Sequence, residues 1–341
     1  MAGRSPYVET IRGFAILLVV AGHVIGDSVS GGMKAADDSF WRYLYFNIDK
    51  LQMPLFTIIS GWVYAIRPLT EMGNFRQFVS QKAQRLLIPM LAVVFVYYLI
   101  KAVMPGEASD PLNRIWTLLI VPYNVYWFLP SLFWLFVISA LLDIFKCMDK
   151  FVHLMILLII SAFLYRYQSM IIPDSIPNYF SFKGAIYLLP FFLIGIGMQR
   201  FKSLFSNKYV TTVLLCSFVV CMILVQLVWF QVIGNGYSEH GRNSWLGICT
   251  GLASVALFYN NRVKLSSFVW IGSFSYSIYL FHSIIKGISQ SVLTKIGIHS
   301  DWIIFVCGFA AGVLLSILAD KILSRWKITG YVFLGKPIKR G

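Results

Sequence analysis

Charged side chains are scarce in this chain of 341 residues, making up 13% of it. A soluble domain carries roughly 25%, so a surface built mainly for water is excluded. The deficit is uneven: 14 Asp and Glu stand against 29 Lys and Arg, a net charge of +15. Cysteine is sparse too. Cys147, Cys216, Cys221, Cys249 and Cys307 lie in or at the ends of apolar runs without metal-ligand spacing. They are expected to pack as small hydrophobes, with no disulfide framework and no metal site. There is no Walker loop and no dinucleotide fingerprint; Gly195-Ile196-Gly197 reads as a small-residue packing spot on a helix. No stretch between the apolar runs is long enough for a soluble domain. No internal repeat is evident, which weakens a transporter reading, since many transporters are built from repeats.

What is abundant is apolar: 58% of the residues are hydrophobic and 16% aromatic, with a mean hydropathy of +0.73. The runs 86–104, 132–145, 210–230 and 303–318 approach or reach the roughly 20 residues that cross a bilayer core as a helix. Buried backbone groups in lipid must be paired within their own segment, which points to helices. The expected fold is all-α: one polytopic membrane domain over 1–341 with about ten transmembrane helices. The expected spans are 8–26, 51–66, 86–104, 127–145, 151–166, 184–199, 209–233, 244–260, 267–286 and 302–322. With a cytoplasmic N-terminus, 18 Lys and Arg fall inside and 10 outside, Arg12 lying within the first span. Nine acidic residues (Asp27, Asp37, Asp38, Asp49, Glu107, Asp110, Asp174, Glu239, Asp301) fall outside. The excess basic charge is therefore a topology signal that places both termini in the cytoplasm, and not a nucleic-acid footprint.

The first run is not read as a signal peptide, because Arg12 and His23 interrupt it and no small-residue cleavage site closes it. The outside loop 27–50, aromatic at Phe40, Trp41, Tyr43, Tyr45 and Phe46, is expected at the membrane surface. The basic inside loop 67–85 is expected to end in a surface helix leading into the third span.

Ionisable residues within a span are costly and mark functional candidates. Arg12 and His23 are eleven positions apart, which is within about 20° of three full helical turns and about 16 Å along the axis. Glu9 and Asp27 extend that stripe by a turn at each end. The ninth span repeats the pattern, with Ser275, Tyr279, His282 and Lys286 on one helix face. Both spans run from inside to outside, and each histidine sits three to four residues short of the outer end. His23 and His282 are thus expected at one depth, in a polar chamber of the outer half. The second span carries Thr57, Ser60, Gly61 and Tyr64 on one face, small enough for close helix approach. Lys82 and Arg85 stand at the inner mouth of the third span. With Arg12 they would make a cytoplasmic funnel suited to a phosphorylated ligand.

These residues carry a resemblance. The stretch from Glu9 through Arg12 to His23 resembles the opening of the membrane acyltransferase-3 family, marked by Arg, ten residues, then His. Pro54-Leu-Phe-Thr-Ile-Ile-Ser60-Gly61 resembles the family's second helix, and Lys82-Ala-Gln-Arg85 its basic motif before the third. Tyr126-Trp127-Phe128-Leu129 resembles its fourth, and the stretch from Gly272 through Ser275 and Tyr279 to His282 its late Ser/Tyr/His helix. The signatures occur in order along essentially the whole chain. Two departures stand out: Glu9 where Asp is common, and Lys82 paired with Arg85 where two Args are usual.

The resemblance implies an enzyme of the bacterial inner (cytoplasmic) membrane that takes an acyl group, most often acetyl, from cytoplasmic acyl-CoA. It passes that group to a hydroxyl of a surface polysaccharide or its lipid-linked precursor. Acetyl-CoA is then a donor substrate, no cofactor is permanently bound, and the partners are the glycan acceptor and membrane lipid. His23 is expected as general base on the acceptor hydroxyl, with an acyl-histidine intermediate as the rival mechanism. Ser275, Tyr279 and His282 would orient His23 or donate to the oxyanion. Arg12, Lys82 and Arg85 would hold donor phosphates, and Glu9, Ser60 and Trp127 would support the site. A proton-coupled transporter or flippase of glycan precursors, and a non-catalytic partner in polysaccharide assembly, are the competing readings.

Overall fold

The computed structural model describes residues 6–103, 112–233, 241–257 and 264–337. Among them there is no strand. Several residues that enter the topology argument (Arg4, Glu107, Asp110, Glu239, Arg262, Lys339 and Arg340) lie outside the described residues, as do the ends of the third and eighth expected spans.

Helix α1 runs Pro6–Ile25, opening on a proline whose missing N–H costs nothing in a first turn. It stops at Gly26, whose φ of +88° is left-handed and whose N–H donates to the Gly22 carbonyl at 2.9 Å. The loop after α1 then folds back on that helix around Arg42, which is buried and donates to the Gly26 carbonyl at 2.8 Å and the Ala35 carbonyl at 3.0 Å. Ser39 caps helix α2 (Phe40–Asp49) by accepting from the Arg42 N–H. This helix is the aromatic segment expected at the surface. It packs against other helices, with Trp41 4.5 Å from Phe305 and Tyr43 5.4 Å from Trp229, centroid to centroid.

The remaining principal helices are α3 (Gln52–Tyr64), α4 (Phe75–Val103), α5 (Phe128–Ile144), α6 (Phe151–Arg166), α7 (Phe182–Arg200), α8 (Lys208–Trp229), α9 (Trp245–Ala253), α10 (Ser266–Ser273), α11 (Ser275–Lys295), α12 (Asp301–Leu323) and α13 (Lys327–Leu334). All ten expected spans meet helix, but not all are long enough to cross. Among the described residues six helical segments have the length and apolarity to span a membrane. The pair α10 and α11, bent by 74° at Phe274, makes a seventh if taken as one broken span. The 16 residues of α6, 13 of α3 and 9 of α9 are shorter. The ninth expected span is therefore not one straight helix: the Ser275-to-Lys286 face lies on α11, and Gly272 lies before the break.

Two glycine contacts set the core. Gly13 of α1 abuts the Phe268 carbonyl and Gly272 of α10 abuts the Glu9 carbonyl, so neither position has room for a Cβ. Gly61 of α3 and Gly195 of α7 make the same reciprocal contact, against the Phe192 and Ile58 carbonyls. Without a hydrophobic drive between helices in lipid, such close backbone approach is what dispersion and packing require. At one end of the bundle, Arg200 of α7 grips Asp143 of α5 at 2.5 Å, and Asp143 accepts from the Tyr64 hydroxyl of α3 at 2.7 Å. The buried carboxylate is thereby neutralised and tied to two helices. Helix α8, by contrast, stands at the periphery with Val213, Val219, Val220 and Ile223 exposed, as a lipid-facing helix would be.

Candidate active site

His23 and His282 meet. Their ring centroids are 5.2 Å apart with planes inclined by 32°. His282 is fully buried, and its Nδ1 lies 2.9 Å from the Ile278 carbonyl and 2.8 Å from the Tyr279 carbonyl. Carbonyls only accept, so Nδ1 carries the proton in the neutral ring and Nε2 presents a lone pair. That Nε2 is buried without a protein partner. His23 is half-buried. Two further cations, Lys286 on α11 and Arg242 just before α9, lie close enough for their charge to act on His23.

The level of the pair is set by neighbouring helices. Gly312 of α12 packs against Val20 and against the Cβ atoms of His282 and Lys286, an added Cβ lying 3.1 Å from Val20 and 3.8 Å from the other two. Gln290 donates to the Val24 carbonyl at 3.1 Å and so fastens α11 to the last turn of α1.

Tyr279 and Tyr126 form a reciprocal latch. The Tyr279 hydroxyl donates to the Val125 carbonyl at 2.6 Å, and the fully buried Tyr126 hydroxyl donates to the Leu280 carbonyl at 2.8 Å. The short helix Asn124–Trp127 is thus tied to the histidine-bearing turn of α11. The hydroxyl of Tyr279 is committed to that latch, while its ring stands 5.9 Å from His282. Ser275 is buried seven residues before His282, about 10 Å away along the helix axis, and the structure does not bring it to the histidine pair. Ser277 is the serine of that turn with a carboxylate partner, Asp320. Ser60 gives its hydroxyl to the Phe56 carbonyl of its own helix at 2.9 Å. Trp127 packs on Tyr187 at 5.9 Å in the aromatic wall near Arg242.

The basic residues Arg12, Lys82 and Arg85 occupy separate settings. Arg12 pairs with the buried Glu9 at 2.9 Å. Lys82 lies over Phe136, 3.7 Å from the ring centre, and over Phe78 at 5.2 Å. Arg85 is exposed one turn further along α4, close enough to act electrostatically on Lys82. Its backbone carbonyl accepts from the Tyr276 hydroxyl at 2.7 Å and is abutted by Gly335, where φ is +61°. Among the described residues no group of three or more His, Cys, Asp or Glu could hold a metal ion.

The chain thus combines a buried histidine pair with apolar helices long enough to span a membrane, as a polytopic membrane protein would. A family model described as "Acyltransferase domain" matches residues 5–321, nearly the whole chain. The protein belongs to the acyltransferase-3 family of membrane acyltransferases. Over an alignment of 377 residues it is 24% identical to glucans biosynthesis protein C of Escherichia coli K12, covering 99% of this chain and 96% of that one. The same protein from Escherichia coli O1:K1 is 25% identical over the same extent. Nodulation protein NolL of Mesorhizobium japonicum is 29% identical over 136 residues, 40% of this chain and 35% of that protein. No solved structure matches.

Proposed function

We propose that the protein is an O-acyltransferase that moves an acyl group, acetyl in the simplest case, from cytoplasmic acyl-CoA to a sugar hydroxyl at the outer side of the bacterial cytoplasmic membrane. The similarity to glucans biosynthesis protein C favours a glucan or related surface glycan as acceptor. The observation that carries the reading is the histidine pair, with His282 Nε2 buried, unpartnered and beside His23. In the proposed reaction the free Nε2 lone pair of His282, held as the Nδ1–H tautomer, draws one N–H of His23 toward it. The other His23 nitrogen is then left as a base. The acceptor oxygen attacks the thioester carbonyl as His23 takes its proton. The tetrahedral intermediate collapses with cleavage of the C–S bond, and the departing thiolate recovers the proton from His23. Ester and free CoA are the products, and no other reactant is needed.

Arg12, Lys82 and Arg85 hold the phosphates of the donor at the cytoplasmic mouth, consistent with cytoplasmic N- and C-termini. Tyr279 acts by positioning, through the latch to Val125. Transfer of label from acetyl-labelled acetyl-CoA to glucan, with purified protein in proteoliposomes, tests the reading. Label is expected on the glycan with intact His23 and absent with His23→Ala. Label that persists in a folded His23→Ala protein overturns the role of this histidine.

A further inference from the structure

Near the histidine pair lies a cluster that the proposed transfer has not used. Arg242 faces Asp49 of α2 with Nη1 3.8 Å from Oδ1. Hydrogen bonds between such groups fall near 2.7–2.9 Å, so the pair is charge-matched yet open. The Asp49 side chain is largely buried, at 13% exposure, while that of Arg242 is 47% exposed. The guanidinium carbon lies 5.3 Å from the ring centre of Tyr187 and 5.9 Å from that of Trp127. Tyr165 backs Tyr187 at 4.7 Å.

Two buried polar atoms here have no protein partner. One is the hydroxyl of Tyr187, whose residue is 5% exposed and which lies within electrostatic reach of both Arg242 and Asp49. The other is Oε1 of Gln52, which sits against Gly22, the neighbour of His23. A buried hydroxyl left unpaired is costly, so a native site that keeps one is suited to a polar ligand.

The chemistry selects the ligand class. Asp49 only accepts, Arg242 only donates, and the Tyr187 hydroxyl does either. A pair of adjacent hydroxyls, each both donor and acceptor, satisfies all three. An anionic sugar or a phosphate would meet Asp49 directly, whereas a neutral ring finds opposite charges already balanced. We propose that Arg242, Asp49 and Tyr187 form the acceptor subsite, which binds neighbouring hydroxyls of a neutral sugar ring and presents one of them to His23. This rests on the acyltransferase reading for the presentation step, but not for the binding of sugar.

The test uses the full-length protein in nanodiscs, titrated calorimetrically without acyl-CoA against hexamers of glucose, mannose and N-acetylglucosamine. At least one neutral hexamer is expected to bind, and Arg242→Ala and Asp49→Asn are each expected to weaken it tenfold or more. Tyr187→Phe, which removes one oxygen and leaves the packing, should weaken it three- to tenfold. In transfer assays the acceptor KM should rise by matching factors while the acetyl-CoA KM stays within twofold. Binding of none of the neutral hexamers overturns the subsite, as does tighter binding of glucuronate oligomers or indifference to all three substitutions. Sugar binding that depends on Arg242 in a wild-type protein that transfers no acyl group leaves the subsite standing and removes the acyltransferase reading. Transfer with an acceptor KM indifferent to Arg242 does the reverse.

Discussion

His282 turns its Nδ1 into the carbonyls of Ile278 and Tyr279 and leaves Nε2 without a protein partner, its ring 5.2 Å from that of His23 between centroids. The backbone of α11 thereby fixes which nitrogen can act. His23 sits on a different helix, is partly open, and has no such backbone constraint imposed by its position. In the proposed reaction this divides the labour: His23 exchanges the proton and His282 orients it.

His23→Asn should therefore lower turnover by about 10²–10⁴, the range for loss of a general base. His282→Ala should cost at least about tenfold, mainly in kcat, because it leaves His23 unoriented rather than absent. Tyr279→Phe should have a smaller effect, since it frees the Val125 carbonyl and loosens the latch without touching either imidazole. Steady-state kinetics on the three variants check the order. Equal losses for His23→Asn and Tyr279→Phe would contradict it.

The common level of the two histidines was legible in the sequence because both spans are counted from the same membrane face, and helical rise is constant. The close contact at Gly61 was legible for a similar reason, a small residue on a face of small and polar residues. The break at Phe274 was not, since the run 267–286 carries no proline to mark it. Its cause is tertiary: Gly272 meets the Glu9 carbonyl of α1, and α11 departs at 74°. Arg242 was also hidden. As a lone charge in an outside loop it resembles any topology residue, and its aromatic wall is assembled from Trp127 on α5's lead-in and Tyr187 on α7. Ser275 shows the limit of face-counting: it shares a face with His282 but stands two turns away.

The donor end makes a separable prediction. Lys82 and Arg85 lie on one helix, with Lys82 supported by Phe136 and Arg85 exposed. Arg85→Ala should raise the KM for acetyl-CoA, with little effect on kcat, if it binds donor phosphate equally in ground and transition states. A charge-assisted contact contributes about 1.5–3 kcal/mol, hence a rise of roughly ten- to a hundredfold. A truncated donor lacking the nucleotide phosphates should be insensitive to the substitution. Measuring both donors on the same variant separates lost phosphate binding from general damage.

Helix packing offers a test independent of activity. A Cβ at Gly272 would overlap the Glu9 carbonyl, where only movement of the backbone makes room. Gly272→Ala should lower the yield of folded protein and its unfolding temperature in detergent. Gly287→Ala on α11, where nothing lies within 4 Å of an added Cβ, should be neutral or stabilising by up to about 1 kcal/mol. Equal behaviour of the two variants would remove the α1–α10 contact as a determinant of stability.

Lys50, between α2 and α3, makes stability depend on pH. It is 2% exposed, and its ammonium lies 3.1 Å from the centre of the Phe46 ring and 2.9 Å from the Phe46 carbonyl. Burial lowers its pKa from 10.5 to about 7, against an opposing pull from Asp49. Below pH 7 the lysine is charged in both folded and unfolded chains, so the folded state carries the full cost of a buried ammonium. Between pH 7 and 10.5 the unfolded chain holds the extra proton, and stability rises with pH through this window. Above 10.5 both forms are neutral and the cost is gone. Lys50→Met should therefore raise the unfolding temperature by a few degrees at pH 6, about the shift a kcal/mol or two produces. That gain should shrink steadily from pH 7 upward and vanish near pH 10.5. A gain that stays constant from pH 6 to pH 10 would mean that the substitution acts by packing alone, and that Lys50 is not held as a charged group at low pH.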